Sequence, residues 1–446
     1  METAHYTPEQ LNERFDFSAK FKKNVLYLLG IGILLLITGF FLLQNAPAPA
    51  HEAAEHGEHA HHAVTAYTHF VANFLLANTF FFRIAMGAMV FLMFTWLGGG
   101  GWNTLIRRIS EAMTQYVYVG FVGFIILFFM MGEIYEWVYL KPGEDVLIDE
   151  KRAFLNNGFF MGSNLFFFAL WGFLIHRMRK LSLQEDLEGG LNTYNKTTPL
   201  AAGFIISFAF TYTLFAIDWL KSLEPHWFST IYGVYVFAGT MVTSFTTLYL
   251  LIIILKRNGY LAYVSDSHLH DVGKFMFGFS VFWAYIWVSQ LLLIWYSNMP
   301  EESIYYVRRM GGSNILLGGK SWFEGYEDSH EYLGYAFFFF FNIIVNFITP
   351  FLVLMTRNAK RTPVIVYPLI FLMLLGHWND LYLLIMPGAV GKYEGSFGNI
   401  VMQLGFVLTF AGLFLGVVFN SLSKAALVPK NNPFLEESVH HSTGVV

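Results

Sequence analysis

Acidic and histidine side chains lie inside several apolar stretches of this sequence, where an ionisable group is costly. Glu133 and Glu136 are three residues apart, and His377 and Asp380 have the same spacing. Three residues make nearly one helical turn, so each pair is predicted to share one helix face. Two neighbouring carboxylates repel when both ionise, and a histidine beside an aspartate forms a donor and acceptor pair, so both pairs are candidates for proton binding and release. Structural pairing is the alternative for each, with Arg83 as the partner of the two glutamates.

A further candidate for proton transfer combines a carboxylate with hydroxyl groups. Ser207, Thr211 and Asp218 are separated by four and seven residues, which places them on one helix face. The next apolar stretch carries hydroxyls at helical spacing, namely Thr240, Thr243, Ser244 and Thr247. Together the two stripes are predicted to line hydrated half-channels that meet near the middle of a membrane. In the alternative, each hydroxyl binds the carbonyl one turn back or packs helices closely, and Lys221 pairs with Asp218.

The side chains disfavour redox chemistry on this chain. There is no cysteine, which excludes iron–sulfur clusters, thioether-linked haem, thiol nucleophiles and disulfides. A membrane haem with two axial histidines needs them on facing helices at matched depth, yet only His377 lies well inside an apolar stretch. We therefore expect no redox cofactor and no catalytic centre on this chain.

A histidine-rich segment precedes the second apolar stretch. Its histidines are interleaved with Glu52, Glu55 and Glu58, and they are His51, His56, His59, His61, His62 and His69. Imidazoles and carboxylates at such spacing bind metal ions, but they match no defined site. We interpret the segment as a solvated loop and assign no metal site, with a metal-binding or pH-sensing role as the alternative.

The composition indicates that lipid, rather than water, is the main solvent. Hydrophobic residues make up 55% of the 446-residue chain and charged residues 13%, with a mean hydropathy of +0.49. The net charge of -4, without a basic stripe, argues against nucleic acid as a partner. Ten apolar stretches are near the length that crosses a bilayer: 25–43, 79–98, 116–137, 158–176, 201–219, 229–255, 272–297, 333–356, 362–386 and 397–420. They are continuously apolar, which predicts membrane-spanning helices rather than barrel strands.

The distribution of lysine and arginine predicts the orientation. These residues are more frequent in the segments on the side of the two tails than in the segments on the other side. By the positive-inside rule, both termini are expected in the cytoplasm. The histidine-rich segment and residues 298–332 are then the two long outer loops, and both are expected to contact partners.

Three segments carry a resemblance to a known family. They read DWLKSLEPHWFSTIYG at 218–233, HDVGKFMF at 270–277, and WAYIWVSQ at 283–290, which leads to NMPEE at 298–302. In these segments the chain resembles the F subunits of alternative complex III, which are NrfD-like membrane subunits. The match is specific and covers the central part of the chain. Helix count and length agree elsewhere, and the histidine-rich loop matches least.

The resemblance implies two four-helix bundles with one flanking helix at each end. The implied divisions are an N-terminal cytoplasmic tail 1–24, a first helix 25–43, a periplasmic loop 44–78, a first bundle 79–220, a second bundle 229–386 with the outer loop 298–332, a last helix 397–420 and a C-terminal tail 421–446. The expected location is the inner membrane of a bacterium, with multiple passes.

The resemblance also implies a function. Alternative complex III is a quinol:cytochrome c oxidoreductase whose multihaem cytochrome c and iron–sulfur subunits carry electrons, and whose NrfD-like C subunit holds the quinol, such as menaquinol. The F subunit is expected to carry no redox cofactor, to scaffold the complex and to conduct protons, with a terminal oxidase as a further candidate partner. Carried over by position, the candidate residues are Asp218, Glu224, His226, His270, Asp271 and Lys274.

Two other functions stay open from the sequence. In the first, the chain itself binds quinol, and His377 with Asp380 or Glu133 forms hydrogen bonds to the ring oxygens. The second is a secondary transporter, which predicts paired discontinuous helices in both halves. Away from the ends of the apolar stretches the only prolines are Pro350 and Pro368, which disfavours the transporter.

Overall fold

The computed structural model describes residues 12–45, 64–310, 333–391 and 395–443. Within these ranges the chain is helical, and its one extended pairing is an isolated bridge between Arg14 and Ala426. Ten helices are long and apolar enough to cross a membrane, judged by length and composition. They are α1 Ala19–Gln44, α2 Ala66–Leu97, α3 Thr104–Phe128, α4 Asn157–Glu188, α5 Leu191–Leu223, α6 Tyr232–Arg257, α7 Asp266–Ser297, α8 Tyr335–Leu354, α9 Pro363–Ala389 and α10 Phe397–Leu422. The predicted all-α membrane fold is confirmed.

Polar residues before the apolar runs determine where several of these helices begin. Thr65 precedes α2; its hydroxyl accepts from the backbone N–H of Thr68, and the hydroxyl of Thr68 accepts from the backbone N–H of Thr65. Asn156 precedes α4 and accepts from the N–H of Phe159 at 2.8 Å. Such caps bind the N–H groups that the first helical turn leaves unpaired, so each apolar run starts as a helix at a defined residue.

Several helices are longer than the apolar stretches that predict them. α2 begins at Ala66, so residues 66–78 are helical, and His69 is buried in α2 rather than exposed in a loop. The other histidines of the predicted loop lie outside the described residues. α4 has 32 residues, which span about 48 Å against a hydrocarbon core of roughly 30 Å. Hydropathy marks only the part of a helix that lies in lipid, so it misses the polar turns at each end.

The third spanning helix ends earlier than predicted, and this separates Glu133 from Glu136. The two glutamates belong to different short helices, Met131–Glu133 and Glu136–Tyr139. Tyr135 between them is extended, with φ -110° and ψ 109°, and its ring is buried. The prediction that the two carboxylates share one helix face is therefore wrong, because the chain turns to bring the tyrosine inward.

The helices form two rings of four. In one ring α2, α3, α4 and α5 are neighbours, and in the other α6, α7, α8 and α9. α2, α6 and α9 lie where the rings meet and are the most buried spans, with 83%, 89% and 78% of their apolar windows inside the protein. Polar residues on these three helices are therefore shielded from lipid by the surrounding helices.

α1 and α10 pack against each other outside the two rings. Gly405 of α10 lies so close to α1 that a Cβ atom there would be 2.5 Å from Leu36 N. Small residues permit such close approach of two backbones, which is a common basis of helix association in lipid. Only 17% of the apolar window of α1 is buried, so α10 supplies most of its contacts.

The helix ends form two faces. The tail face is formed by residues 98–103, 258–265 and 424–443. The loop face is formed by residues 129–156, 224–231 and 298–310. On the tail face the C-terminal segment crosses both rings, because Ser438 donates to Trp102 O at 2.6 Å and Arg357 donates to Thr443 O.

Candidate functional site

Asp380 of α9 lies at the centre of an enclosed polar cluster. Three neutral groups donate to its carboxylate: the hydroxyl of Tyr235 from α6, Nδ2 of Asn342 from α8 at 3.0 Å and Nε1 of Trp283 from α7 at 3.3 Å. The carboxylate side chain is 3% exposed. All four helices of the second ring therefore contribute to binding this one group.

Two further ionisable residues, Arg83 of α2 and His377 of α9, complete the cluster, and both are fully buried. Arg83 Nη2 donates to the backbone O of His377 at 2.7 Å, and the guanidinium lies 5.0 Å from the ring centre of Phe80. His377 Nδ1 lies 3.9 Å from Asp380 Oδ2, and neither ring nitrogen has a hydrogen-bond partner among the described residues. The predicted neighbourhood of His377 and Asp380 is thus present, whereas the alternative pairing of Arg83 with the two glutamates is not found.

These three ionisable groups converge on the backbone of α6 at Gly239. A Cβ atom there would lie 3.4 Å from Arg83 Nη1, 3.5 Å from Asp380 Oδ2 and 3.7 Å from His377 Nδ1. Glycine therefore lets a cation, a carboxylate and an imidazole face one another without apolar atoms between them. The 3.9 Å between His377 Nδ1 and Asp380 Oδ2 is a separation that a bridging water can span.

The chemistry available to this arrangement is proton binding. Asp380 and His377 both change charge when a proton is added, whereas Arg83 stays cationic. Burying such groups at membrane depth costs about 2.5–3.5 kcal/mol each on insertion scales, so their presence calls for a compensating partner or a function. The cluster can hold a proton between the carboxylate and the imidazole beside a fixed positive charge.

An irregular segment of α8 orients the amide that binds Asp380. Residues Ile344–Ile348 form a π-helical turn within α8, and such insertions are frequent at functional sites. Asn346 lies in this turn, and its Nδ2 donates to Asn342 Oδ1 at 2.7 Å, which orients the Asn342 amide toward the carboxylate. The sequence analysis missed both asparagines. Their spacing of four residues within a phenylalanine-rich stretch is the signal that marks them.

A small cavity joins this cluster to the loop face. It has a volume of about 20 Å³, which is enough for roughly one water molecule. Tyr235 and Asn342, which bind Asp380, lie on one side of it, and Gln290 and Arg309 also line it. Residues that bind the buried carboxylate and Arg309 of the short helix Pro300–Met310 therefore line the same small cavity.

At the loop face this connection ends in a buried ion pair. Arg309 Nη2 lies 2.6 Å from Glu224 Oε2, and its Nε donates to Leu383 O at 2.8 Å. The guanidinium also lies 3.4 Å from the ring centre of Tyr305, which stacks on Trp227 at 3.8 Å. Burial alone lowers the pKa of Arg309, but the Glu224 carboxylate outweighs it and raises the pKa above its ordinary value. Glu224, predicted from the family resemblance, therefore lies beside the connection to Asp380.

Asp218 lies in the first ring and forms a separate site. Its Oδ2 accepts from Asn164 Nδ2 at 2.8 Å and from Ser163 Oγ at 3.3 Å. Lys221 makes no ion pair with it among the described residues, so that alternative is not supported. Protonation of this buried carboxylate would break no ion pair, which agrees with its selection as a proton-binding candidate.

The predicted hydroxyl stripes are mostly bonded to their own helices. Ser207 donates to Phe204 O, and Thr211 donates to Ser207 O at 2.8 Å. On α6 the hydroxyls of Thr240, Thr243 and Thr247 likewise donate to backbone carbonyls one turn back. Ser244 packs against α2 instead. These contacts favour the alternative in which the hydroxyls satisfy the backbone, so the structure does not show the two stripes joined as half-channels.

The remaining predicted residues lie at the two faces, away from the cluster. On the tail face, Asp271 pairs with Lys274 and with His441 of the C-terminal segment, each at 2.6 Å, and His270 is buried nearby. On the loop face, His226 Nε2 lies 2.6 Å from Asp145 Oδ2. Slight burial raises the pKa of the Asp145 carboxyl. The backbone N–H of Ile148 and the His226 side chain lower it by more, so the pKa lies below its usual value.

A second buried charged network, on the tail face, was not predicted. Glu111 of α3 pairs with Arg108 at 2.9 Å, with Arg107 at 3.1 Å and with Arg179. Asn432 of the C-terminal segment reaches this network by donating to Glu185, another carboxylate that pairs with Arg107. This network holds the ends of α3 and α4 and the C-terminal segment together.

The fold and the site define this chain as an all-helical, multi-pass membrane protein with an ionisable cluster at its centre. No group of three or more metal-binding side chains occurs among the residues that the structure describes. Comparison with known protein families and with curated proteins finds no match.

Proposed function

We propose that this chain is a membrane subunit of a respiratory quinol:cytochrome c oxidoreductase, in which it scaffolds the complex and conducts protons. The observation that carries the proton role is the enclosed cluster of Asp380, His377 and Arg83, which reaches the loop face through Tyr235 and Arg309. Proton transfer needs ionisable groups that are shielded from lipid and linked by hydrogen-bonding groups. The groups of the cluster are shielded from lipid, Tyr235 donates a hydrogen bond to Asp380, and Tyr235 and Arg309 line one cavity.

The loop face supports membership in a complex. The segment that resembles the F subunits of alternative complex III, 218–233, ends α5 and runs along this face to α6. Phe228 within it is 52% exposed, and Tyr296 at the end of α7 is 88% exposed. Exposed aromatic residues at a helix end suit contact with a partner or with the membrane boundary. The proposed partners are the multihaem cytochrome c, iron–sulfur and NrfD-like C subunits, in a bacterial inner membrane with both termini cytoplasmic.

The cavity beside Asp380 gives little support to quinol binding by this chain. Its volume is about 20 Å³, whereas a cavity that holds one benzene ring is about 150 Å³. Glu133, the other carboxylate considered for this role, is partly exposed on a short loop-face helix. The quinol of the complex is therefore assigned to a partner subunit.

The test of the proton role is Asp380→Asn in the assembled complex, reconstituted into proteoliposomes. Asparagine keeps the shape of the side chain but carries no proton that can be released. We expect quinol oxidation to continue while the number of protons moved per electron falls. An unchanged proton yield would refute the proton role of this cluster.

Membership in the complex is tested separately by purification. A tagged chain extracted in mild detergent is expected to retain haem-containing polypeptides, visible by their absorbance. Purification of the chain alone, without haem, would refute the scaffolding role.

A further inference from the structure

A cavity with two cationic side chains lies on the loop face beside the end of α5. Its volume is about 240 Å³, many times the ~30 Å³ that one water occupies in the liquid. Lys151 and Lys221 line it, together with the apolar side chains of Phe154, Leu155 and Ile217. It belongs to the first ring and shares no residue with the Asp380 cluster.

The positive charges in this cavity are not neutralised by the protein. Lys151 Nζ donates to the backbone O of Pro225 at 2.5 Å, and the side chain of Lys221 makes no hydrogen bond or ion pair with the residues that the structure describes. Glu150 also lines the cavity, but it is exposed and pairs with neither lysine. Two ammonium groups beside apolar walls repel each other and are poorly solvated, so a bound anion would stabilise both.

We propose that this cavity binds a phosphate group, carried by an anionic lipid or free in solution. Lysine binds phosphate as a point charge, and two lysines on one cavity suit a tetrahedral anion with several oxygens. The cavity is also where the apolar part of α5 ends, and Ile217 of α5 lines it. A lysine close to anionic head groups contributes about 1 kcal/mol to membrane binding. This inference goes beyond the proposed function and does not depend on it.

The experiment uses the full chain, purified in detergent and stripped of lipid. Binding is measured to phosphatidylcholine vesicles with and without phosphatidylglycerol, and to inorganic phosphate by calorimetry. The double variant Lys151→Gln and Lys221→Gln is expected to lower affinity about thirtyfold, since each lysine accounts for about fivefold, or about 1 kcal/mol. Lys141→Gln is the matched control, because Lys141 is exposed on the same face outside the cavity.

The two probes distinguish the source of the phosphate. Lysine-dependent binding of phosphatidylglycerol alone identifies a lipid site, and lysine-dependent binding of inorganic phosphate identifies a site for the free anion. The pair Lys151→Arg and Lys221→Arg should restore binding, which separates loss of charge from misfolding. Failure of the wild type to bind either probe, or equal binding by the glutamine double variant and Lys141→Gln, would overturn the inference.

Discussion

Replacement of Gly239 by alanine tests whether the central cluster works through the space between its groups. The new methyl carbon would lie 3.4 Å from Arg83 Nη1, 3.5 Å from Asp380 Oδ2 and 3.7 Å from His377 Nδ1. These are ordinary contact distances, so the variant should fold. Alanine within a helix is also favoured over glycine by about 1 kcal/mol.

The functional cost of this methyl group follows from the same distances. It places an apolar atom in contact with three polar groups and fills the space between them. Leaving a buried polar group unpaired costs about 1–3 kcal/mol. If that cost enters the barrier to proton transfer, the proton rate falls roughly five- to 150-fold. The variant is therefore expected to be as stable as the wild type and much slower.

The assay is proton movement by the reconstituted complex, followed with a pH-sensitive dye after addition of quinol. Gly278→Ala in α7 is the matched control. A Cβ atom there meets nothing within 4 Å, and the substitution gives the same gain in helix propensity as Gly239→Ala. Proton movement in the control should match the wild type. Equal rates for the two alanine variants would refute the reasoning.

Three further predictions concern stability. Glu111→Gln removes a carboxylate that binds three arginines and should lower the free energy of unfolding by about 3–5 kcal/mol; thermal unfolding in detergent measures this, and the exposed Glu188→Gln should change it little. Asp145 has a lowered pKa, so its contribution is complete above the ordinary aspartate pKa of about 4 and is lost as the pH falls through the lowered value. Asp145→Asn should therefore flatten the acid side of the stability profile, and an identical profile would contradict this. Gly405→Leu should separate α1 from α10, since even a Cβ atom there would be 2.5 Å from a backbone nitrogen of α1. Cross-linking between the two helices should be lost in that variant and retained in Gly30→Leu, where the added Cβ atom meets nothing within 4 Å.

The spanning helices could be predicted from the sequence because each apolar run is near the thickness of a bilayer. Their ends were less predictable, as the break between Glu133 and Glu136 shows. That break depends on a buried Tyr135, and the burial of one aromatic ring is a property of the packed protein. Helical spacing alone could not reveal it.

The candidate site was predictable only in part, for a similar reason. His377 and Asp380 are on one helix, so their spacing and depth identify them together. Tyr235, Trp283 and Asn342 come from three other helices, and no local pattern shows that they meet one carboxylate. The serine and threonine stripes of α5 and α6 are the opposite case. Their spacing suggested a proton path, but most of these hydroxyls bind backbone carbonyls of their own helix.

The contact between α1 and α10 has a consequence for biosynthesis. Spanning helices enter the membrane in the order in which they are translated, and α1 leaves the ribosome long before its main partner. Until α10 is inserted, the glycine-lined surface of α1 faces acyl chains or a folding factor. Chains interrupted before α10 should therefore keep an unassembled first helix and be preferred substrates for membrane proteases.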